Sequence, residues 1–259
     1  MIGARTRFAW LVAVTTSCMP HTVGPRTGAT SESGVVVFDD SQMVPLANEV
    51  YVDSAMTARQ RGDAQAAYNR AVARVWTFYG ELQSGRPATF FCASNPCRLY
   101  FTGPAMRSWN LSSGHSAPGG RYVARKRTII IDYMDRRTED TTVHEMSHVE
   151  FAFRIAPARA PEWFNEGLAT YIGREPNCYD QPPDAVVDLR TLDGHRAWLA
   201  QTKDKPLRHA TYCQALREFT TWFNLNGKSK LMRLFDALKR GETFEAAYGP
   251  LAIPPTTTH

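Results

Sequence analysis

The chain contains no C-x-x-C pair, no phosphate loop, no G-x-G-x-x-G and no G-x-S-x-G. Those gaps argue against a zinc ribbon, a nucleotide cradle and a serine-hydrolase elbow. No low-complexity tract and no internal repeat stands out. The apolar run F-A-W-L-V-A-V (8–14) is too short to span a membrane. Neither sign of charge dominates: 30 Lys and Arg stand against 25 Asp and Glu, for a net charge of +5. The basic residues are scattered, and the one tight run, R-K-R (125–127), reads as a solvated hairpin end. No nucleic-acid partner is expected. What remains is an ordinary globular composition, 43% hydrophobic over 259 residues, enough for one sizeable core or two small domains sharing one.

Arg5 and Arg7 precede the apolar run, and small residues lead from it to Cys18. This stretch resembles a bacterial signal peptide, and its ending in a cysteine resembles a lipoprotein signal, although Thr15 stands where that pattern prefers Leu. Lipidation at Cys18, or plain cleavage nearby, follows from the resemblance. Residues 19–34, rich in Ser, Thr, Gly and Pro, read as a tether. Four further cysteines, Cys92, Cys97, Cys178 and Cys213, suit two disulfides in an exported chain, with three pairings open. A Cys92–Cys97 bridge at a hairpin end, around the turn A-S-N-P, with Cys178 paired to Cys213, is the simplest choice.

The expected organisation is a signal peptide (1–18), the tether (19–34), an N-terminal strand and helical segment (35–84), a main domain (85–250) and a tail (251–259). Strands are expected at 35–38, 88–92, 98–101, 121–125 and 128–133, and a helix over 54–82. The Gly/Ser-rich stretch 112–120 reads as a loop, and almost everything after 138 as helix. A strand-rich middle before a helical remainder implies an α+β fold, with a small mixed or antiparallel sheet packed on the helix that begins near 138. Leu231, Leu234, Phe235 and Leu238, spaced i, i+3, i+4 and i+7 after Gly227, read as core.

That helix carries V-H-E-M-S-H (143–148). Residues four apart on a helix project from one face, so His144 and His148 are able to take two corners of a tetrahedral zinc. Glu145 then stands beside the metal as the base that takes a proton from water. Two plainer readings compete: two histidines on an ordinary helix, or a capping box of Thr142 and Glu145. Start signals at Thr138 and Asp140 place the helix origin before Thr142. A catalytic zinc needs a third protein ligand. A histidine six residues after His148 is excluded, because Arg154 stands there. The chain breaks at A-P-A-R-A-P (156–161), and a second helix is expected from Pro161. Glu166 on that helix is far enough along to fold back to the metal, and Gly167 beside it suggests close approach to the motif helix. Glu150 and Glu162 are rival ligands, expected to be solvated. His115 reads as a loop residue and His195 as a turn residue, with Asp193 as an orienting group at most. The strand T-I-I-I-D (128–132) suits either edge pairing with an extended peptide or a buried central position.

H-E-M-S-H followed by W-F-N-E-G-L-A-T-Y resembles the gluzincin metallopeptidases, the group that includes aminopeptidases and the smaller bacterial peptidase MA-like proteins. The resemblance is close over 140–173 and loose over 85–250, where G-G-R-Y (119–122) and G-E-T-F-E-A-A-Y-G (241–249) add to it. It implies a zincin-like fold and Glu166 as the third zinc ligand. In the family a tyrosine on a later helix stabilises the oxyanion. A-T-Y-C-Q-A-L-R-E-F (210–219) matches that context at Tyr212, with Ala215 as the small residue; core packing beside Cys213 is the other reading, and Tyr171 and His209 are weaker substitutes. The G-A-M-E-N stretch that holds a substrate amino terminus in the aminopeptidases is absent, which favours an endopeptidase or another specificity. The expectation is therefore an exported cell-envelope zinc peptidase acting on peptide or protein substrates, its membrane contact limited to a lipid at Cys18. A non-catalytic zinc-binding lipoprotein and a zinc amidase acting on cell-wall material are the alternatives.

Overall fold

The computed structural model describes residues 43–47, 49–102, 128–133, 135–174, 178, 187–203 and 205–251. Cys18 and the N-terminal targeting run, the expected strands at 35–38 and 121–125, His115, and R-K-R (125–127) lie outside them. Helices dominate, around one small sheet of four strands in the order β1-β2-β3-β4: Met43–Ala47, Val50–Asp53, Ala88–Cys92 and Thr128–Asp132. β1 runs antiparallel to β2, while β2, β3 and β4 are parallel. The α+β expectation holds at this level, and the sheet is mixed. Among the described residues no helix is long and apolar enough to cross a membrane.

Alternation along the strands sends side chains to two faces. Val50, Val52, Phe91, Ile129 and Ile131 enter the main core. Phe90, Cys92 and Ile130 turn to the other face, where they meet Cys97 and Met43. Parallel strands covered on both faces read as unbroken apolar runs, which is why T-I-I-I-D lacks a polar face. β4 is the end strand of the sheet among the described residues, yet all three isoleucines are buried.

α1 (Ala58–Tyr79) starts at a capping box between Thr57 and Gln60 and ends at Gly80, whose φ of 89° is left-handed. α1 links β2 to the parallel strand β3, and packs Tyr68, Ala71 and Val75 into the main core. β1, β2 and α1 thus share one sheet and one core with the described residues that follow.

The strand expected at 98–101 is instead part of a helix, α2 (Asn95–Thr102). Pro96 is tolerated in a first helical turn, and Arg98 N–H donates to the carbonyl of Ser94. The buried Asp53 carboxylate accepts from the amides of Ala93 and Ser94 and fixes the turn into this helix. The aromatic content of R-L-Y-F misleads here, because the local hydrogen bonds decide. The Cys92–Cys97 bridge exists, with Cα atoms 5.4 Å apart, but it joins a strand end to a helix start.

The motif helix is α3 (Thr138–Ile155), and α4 (Glu162–Gly173) returns across it, with Pro161 just ahead of the first turn. α5 (His195–Thr202) and α6 (Lys205–Lys239) follow, the latter broken at Gly227 (φ 70°), and α7 (Phe244–Tyr248) closes the core. Leu231, Leu234, Phe235 and Leu238 are all buried.

Gly167 faces α6, not the motif helix: a Cβ there would lie 2.4 Å from the Ala215 carbonyl oxygen and 3.2 Å from Phe219 Cβ. Gly173 is the glycine that touches α3, where a Cβ would sit 3.2 Å from Asp140 O and 3.4 Å from His144 Cβ. Glu150, expected to be solvated, is fully buried. It accepts hydrogen bonds from the amides of Gln83 and Ser84 and from Arg154 Nε at 3.0, 2.9 and 2.7 Å. Arg154 also donates to Glu81 O, so this pair ties the end of α1 to the motif helix.

Gly167→Ala should destabilise the fold by roughly 1–3 kcal/mol, because the clash is with backbone. Gly62→Ala meets nothing within 4 Å and sits inside α1, so it should stabilise by up to about 1 kcal/mol. Urea unfolding of the two variants beside the parent checks both signs.

Candidate metal centre

α3 begins at Thr138, so Thr142 and Glu145 lie in its interior and form no capping box; the Thr142 hydroxyl donates to Thr138 O instead. Glu145 is 3% exposed. His144 and His148 project from one face, their Nε2 atoms 3.0 Å apart. α4 brings Glu166 Oε2 to 3.2 Å from His144 Nε2 and 3.5 Å from His148 Nε2. Glu145 Oε1 lies 3.8 Å from His144 Nε2.

These distances test the fit to a metal. With zinc bonds of about 2.0–2.1 Å, neighbouring corners of a tetrahedron lie roughly 3.3 Å apart. Separations of 3.0, 3.2 and 3.5 Å bracket that edge. Two imidazole nitrogens and one carboxylate oxygen are also a donor set that zinc accepts, so the residues present fit the ion. Among the described residues buried Glu166 Oε2 faces only the two imidazoles, without a hydrogen bond of good geometry, which leaves it placed for a cation between them.

Burial works against charge on His148, but the Glu166 carboxylate beside it prevails and raises the imidazole above its ordinary value. Burial likewise works against ionised Glu166, and the two histidines overcome it, holding the carboxyl far below the usual carboxylate range. A cation taking both histidines would compete with any proton that Glu166 helps His148 to hold.

Sequence reasoning passed over two contributors. Asn165, directly before Glu166, sets its Oδ1 2.8 Å from His148 Nδ1; an Nδ1–H donating there leaves Nε2 as the lone-pair face toward Glu166. The motif string W-F-N-E-G contained that residue, yet nothing local shows that it reaches the other helix. Arg74 on α1 donates to Glu139 Oε1 (2.9 Å), Asp140 Oδ1 (3.1 Å) and Gly173 O (3.2 Å). It clips the start of the motif helix to the end of α4, a link with no sequence signal.

Of the other candidates, Tyr212 is half-buried on α6, its ring centroid 6.5 Å from that of His144 and 5.0 Å, edge-on, from Trp198. It therefore combines proximity to the centre with core packing. Tyr171 packs among Phe78, Phe219 and Phe223. Glu162 Oε1 lies 3.0 Å from His195 Nδ1 where α4 and α5 begin, and the Asp193 carbonyl accepts from Glu162 N–H. The second bridge joins Cys178 to Cys213, and His209 lies beside it.

No protein-family model matches the chain, and no curated protein and no solved structure matches it.

Two responses to pH should separate the metal-free and zinc-loaded protein. In the metal-free chain His148 titrates higher folded than unfolded. Its contribution to stability is complete below the unfolded value near 6.5 and is lost as pH rises through the folded value. Zinc must displace that proton, so zinc affinity should rise with pH over the same window, by about tenfold per unit. Melting temperature should fall with pH across that window without zinc and stay nearly level with saturating zinc, because the two effects cancel. Asn165→Ala should weaken zinc binding by about 10–100-fold, read by competition with a chromophoric chelator.

Proposed function

We propose that this chain is a zinc-dependent peptidase in which His144, His148 and Glu166 hold the metal and Glu145 is the general base. The observation that carries this reading is the convergence of two Nε2 atoms and one Oε2 atom within 3.0–3.5 Å of one another, with the Glu145 carboxylate at the same corner. An α+β body with a strand leading into the motif helix accords with a zincin-like fold, and H-E-M-S-H with W-F-N-E-G accords with the gluzincin group.

A zinc ion bound there supplies Lewis acidity, making water acidic near neutral pH and polarising the scissile carbonyl. Glu145 takes the proton that water gives up as it adds to the carbonyl carbon, and passes it to the leaving amine. Burial sets Glu145 away from bulk water, so the proton it takes goes back to the substrate. The Tyr212 hydroxyl donates a hydrogen bond to the developing oxyanion, in keeping with its place next to His144. Asn165 keeps His148 in the tautomer that presents Nε2. The two disulfides and the arginine-led apolar run ending at Cys18 support an exported enzyme, anchored through lipid at that cysteine.

Metal analysis and an unbiased peptide-library digest test the proposal together, with a peptidoglycan digest run in parallel. The parent should carry about one zinc per chain and cleave peptides. Glu166→Gln should lose the zinc. Glu145→Gln should keep it and lose turnover by about 10²–10⁴-fold. Tyr212→Phe should lower kcat by roughly 10²–10³-fold with KM little changed. Cleavage of cell-wall material alone would replace the peptidase reading with an amidase. Zinc without hydrolysis of either would leave a binding protein, and a parent that takes up no zinc would end the proposal.

A further inference from the structure

A second cluster of atoms of metal-ligating type, two on α6 and one on Cys178, lies outside the centre built from His144, His148 and Glu166. His209 and Cys213 stand four apart, so both project from one face of the helix. His209 Nδ1 lies 3.6 Å, and Nε2 3.8 Å, from Cys213 Sγ. Cys178 closes the group through its bond to Cys213, and one donor atom from each of the three residues lies within 4.8 Å of the others. Cys213 is buried, whereas Cys178 and His209 are half-buried.

We propose that Cys178, His209 and Cys213 form a second, redox-gated site for a thiophilic divalent cation such as zinc. While the disulfide stands, the sulfurs hold each other and the site is closed. A dithiol reductant opens it: the sulfur–sulfur bond breaks, two electrons pass from the reductant, and each sulfur takes a proton as the reductant closes its own disulfide. The cation then displaces those protons and binds two thiolates and one imidazole, leaving a fourth position for water.

The geometry favours this exchange. In a tetrahedral zinc site a thiolate and an imidazole nitrogen lie about 3.5 Å apart, close to the present 3.6 Å. The sulfurs must part, from a bonded pair to roughly 3.8 Å, while Cys178 and His209 start within 4.8 Å of each other. Helical spacing holds His209 and Cys213 in register without help from the bridge, so two of the three ligands are already set. Cys213 directly follows Tyr212. The ion would therefore keep Cys178 tied to the helix that carries Tyr212 after the covalent link is gone.

Cobalt distinguishes this site from the first, because only thiolate ligands give an intense near-ultraviolet charge-transfer band, and the His144 centre has none. The full chain is reduced with a dithiol, freed of it anaerobically and titrated with Co2+. The band should saturate at about one ion per chain in reduced protein, be absent from oxidised protein and be bleached by zinc. It should disappear in Cys178→Ser and persist in Glu166→Gln. His209→Ala keeps both disulfides when oxidised and so serves as the variant that folds; its cobalt affinity after reduction should fall by at least about tenfold. A reduced parent without the band overturns the proposal. So does a band that survives Cys178→Ser, which would assign it to Cys92 and Cys97, or one that His209→Ala leaves unchanged.

Discussion

A carboxylate held between two imidazoles, away from water, is the constraint around which the rest of this fold is arranged. The two histidines facing Glu166 draw its carboxyl below the usual carboxylate range, and Glu166 facing His148 raises that imidazole above its ordinary value. Removing one partner would leave an uncompensated charge in a poorly solvated place, a cost of several kcal/mol. The two helices that bring the groups together must therefore cross at one height and one rotation. Gly167 lets α4 settle against α6 and Gly173 lets it settle against α3, each removing a side chain where backbone passes.

The surrounding polar contacts serve the same crossing. Arg74 reaches from α1 to both helices at once, and Glu150 with Arg154 ties the motif helix to the turn after α1. α1, the part of the chain with no motif, is thus the strut that sets the distance between the helix bearing the histidines and the helix bearing the acid. The sheet contributes by burying Ile129 and Ile131 beneath this layer and delivering the chain into the motif helix. The disulfide from Cys178 to Cys213 pins the far side, next to the tyrosine that leans on Trp198.

Much of the centre was legible before folding, and for a definite reason. His144, Glu145 and His148 lie within one and a half turns of a single helix, so their relative directions follow from helical geometry alone. Val143, Met146 and Val149 mark the buried side of the same helix. The burial of the Leu231–Leu238 stripe was legible in the same way, since it depends on one element's period, whereas T-I-I-I-D left edge pairing and a buried position open. R-L-Y-F (98–101) was misread as a strand because its residues favour strands, while Asp53, forty residues earlier, caps the turn that makes it helical. The partner of Gly167 was misjudged because a glycine announces close approach without saying to what.

Local periodicity and short-range spacing, then, determined the motif helix, its two histidines, the acid following the first of them, the apolar stripes and the α+β class. Tertiary structure alone decided that Glu166 lies 3.2 Å from His144, that Asn165 orients His148, that Arg74 joins the two helices, that Glu150 is buried, and that Tyr212 stands beside the centre. Directions along one helix are set by bonds between near neighbours. Distances between helices are set by how whole side-chain layers pack, and that information is spread over residues far apart in the chain.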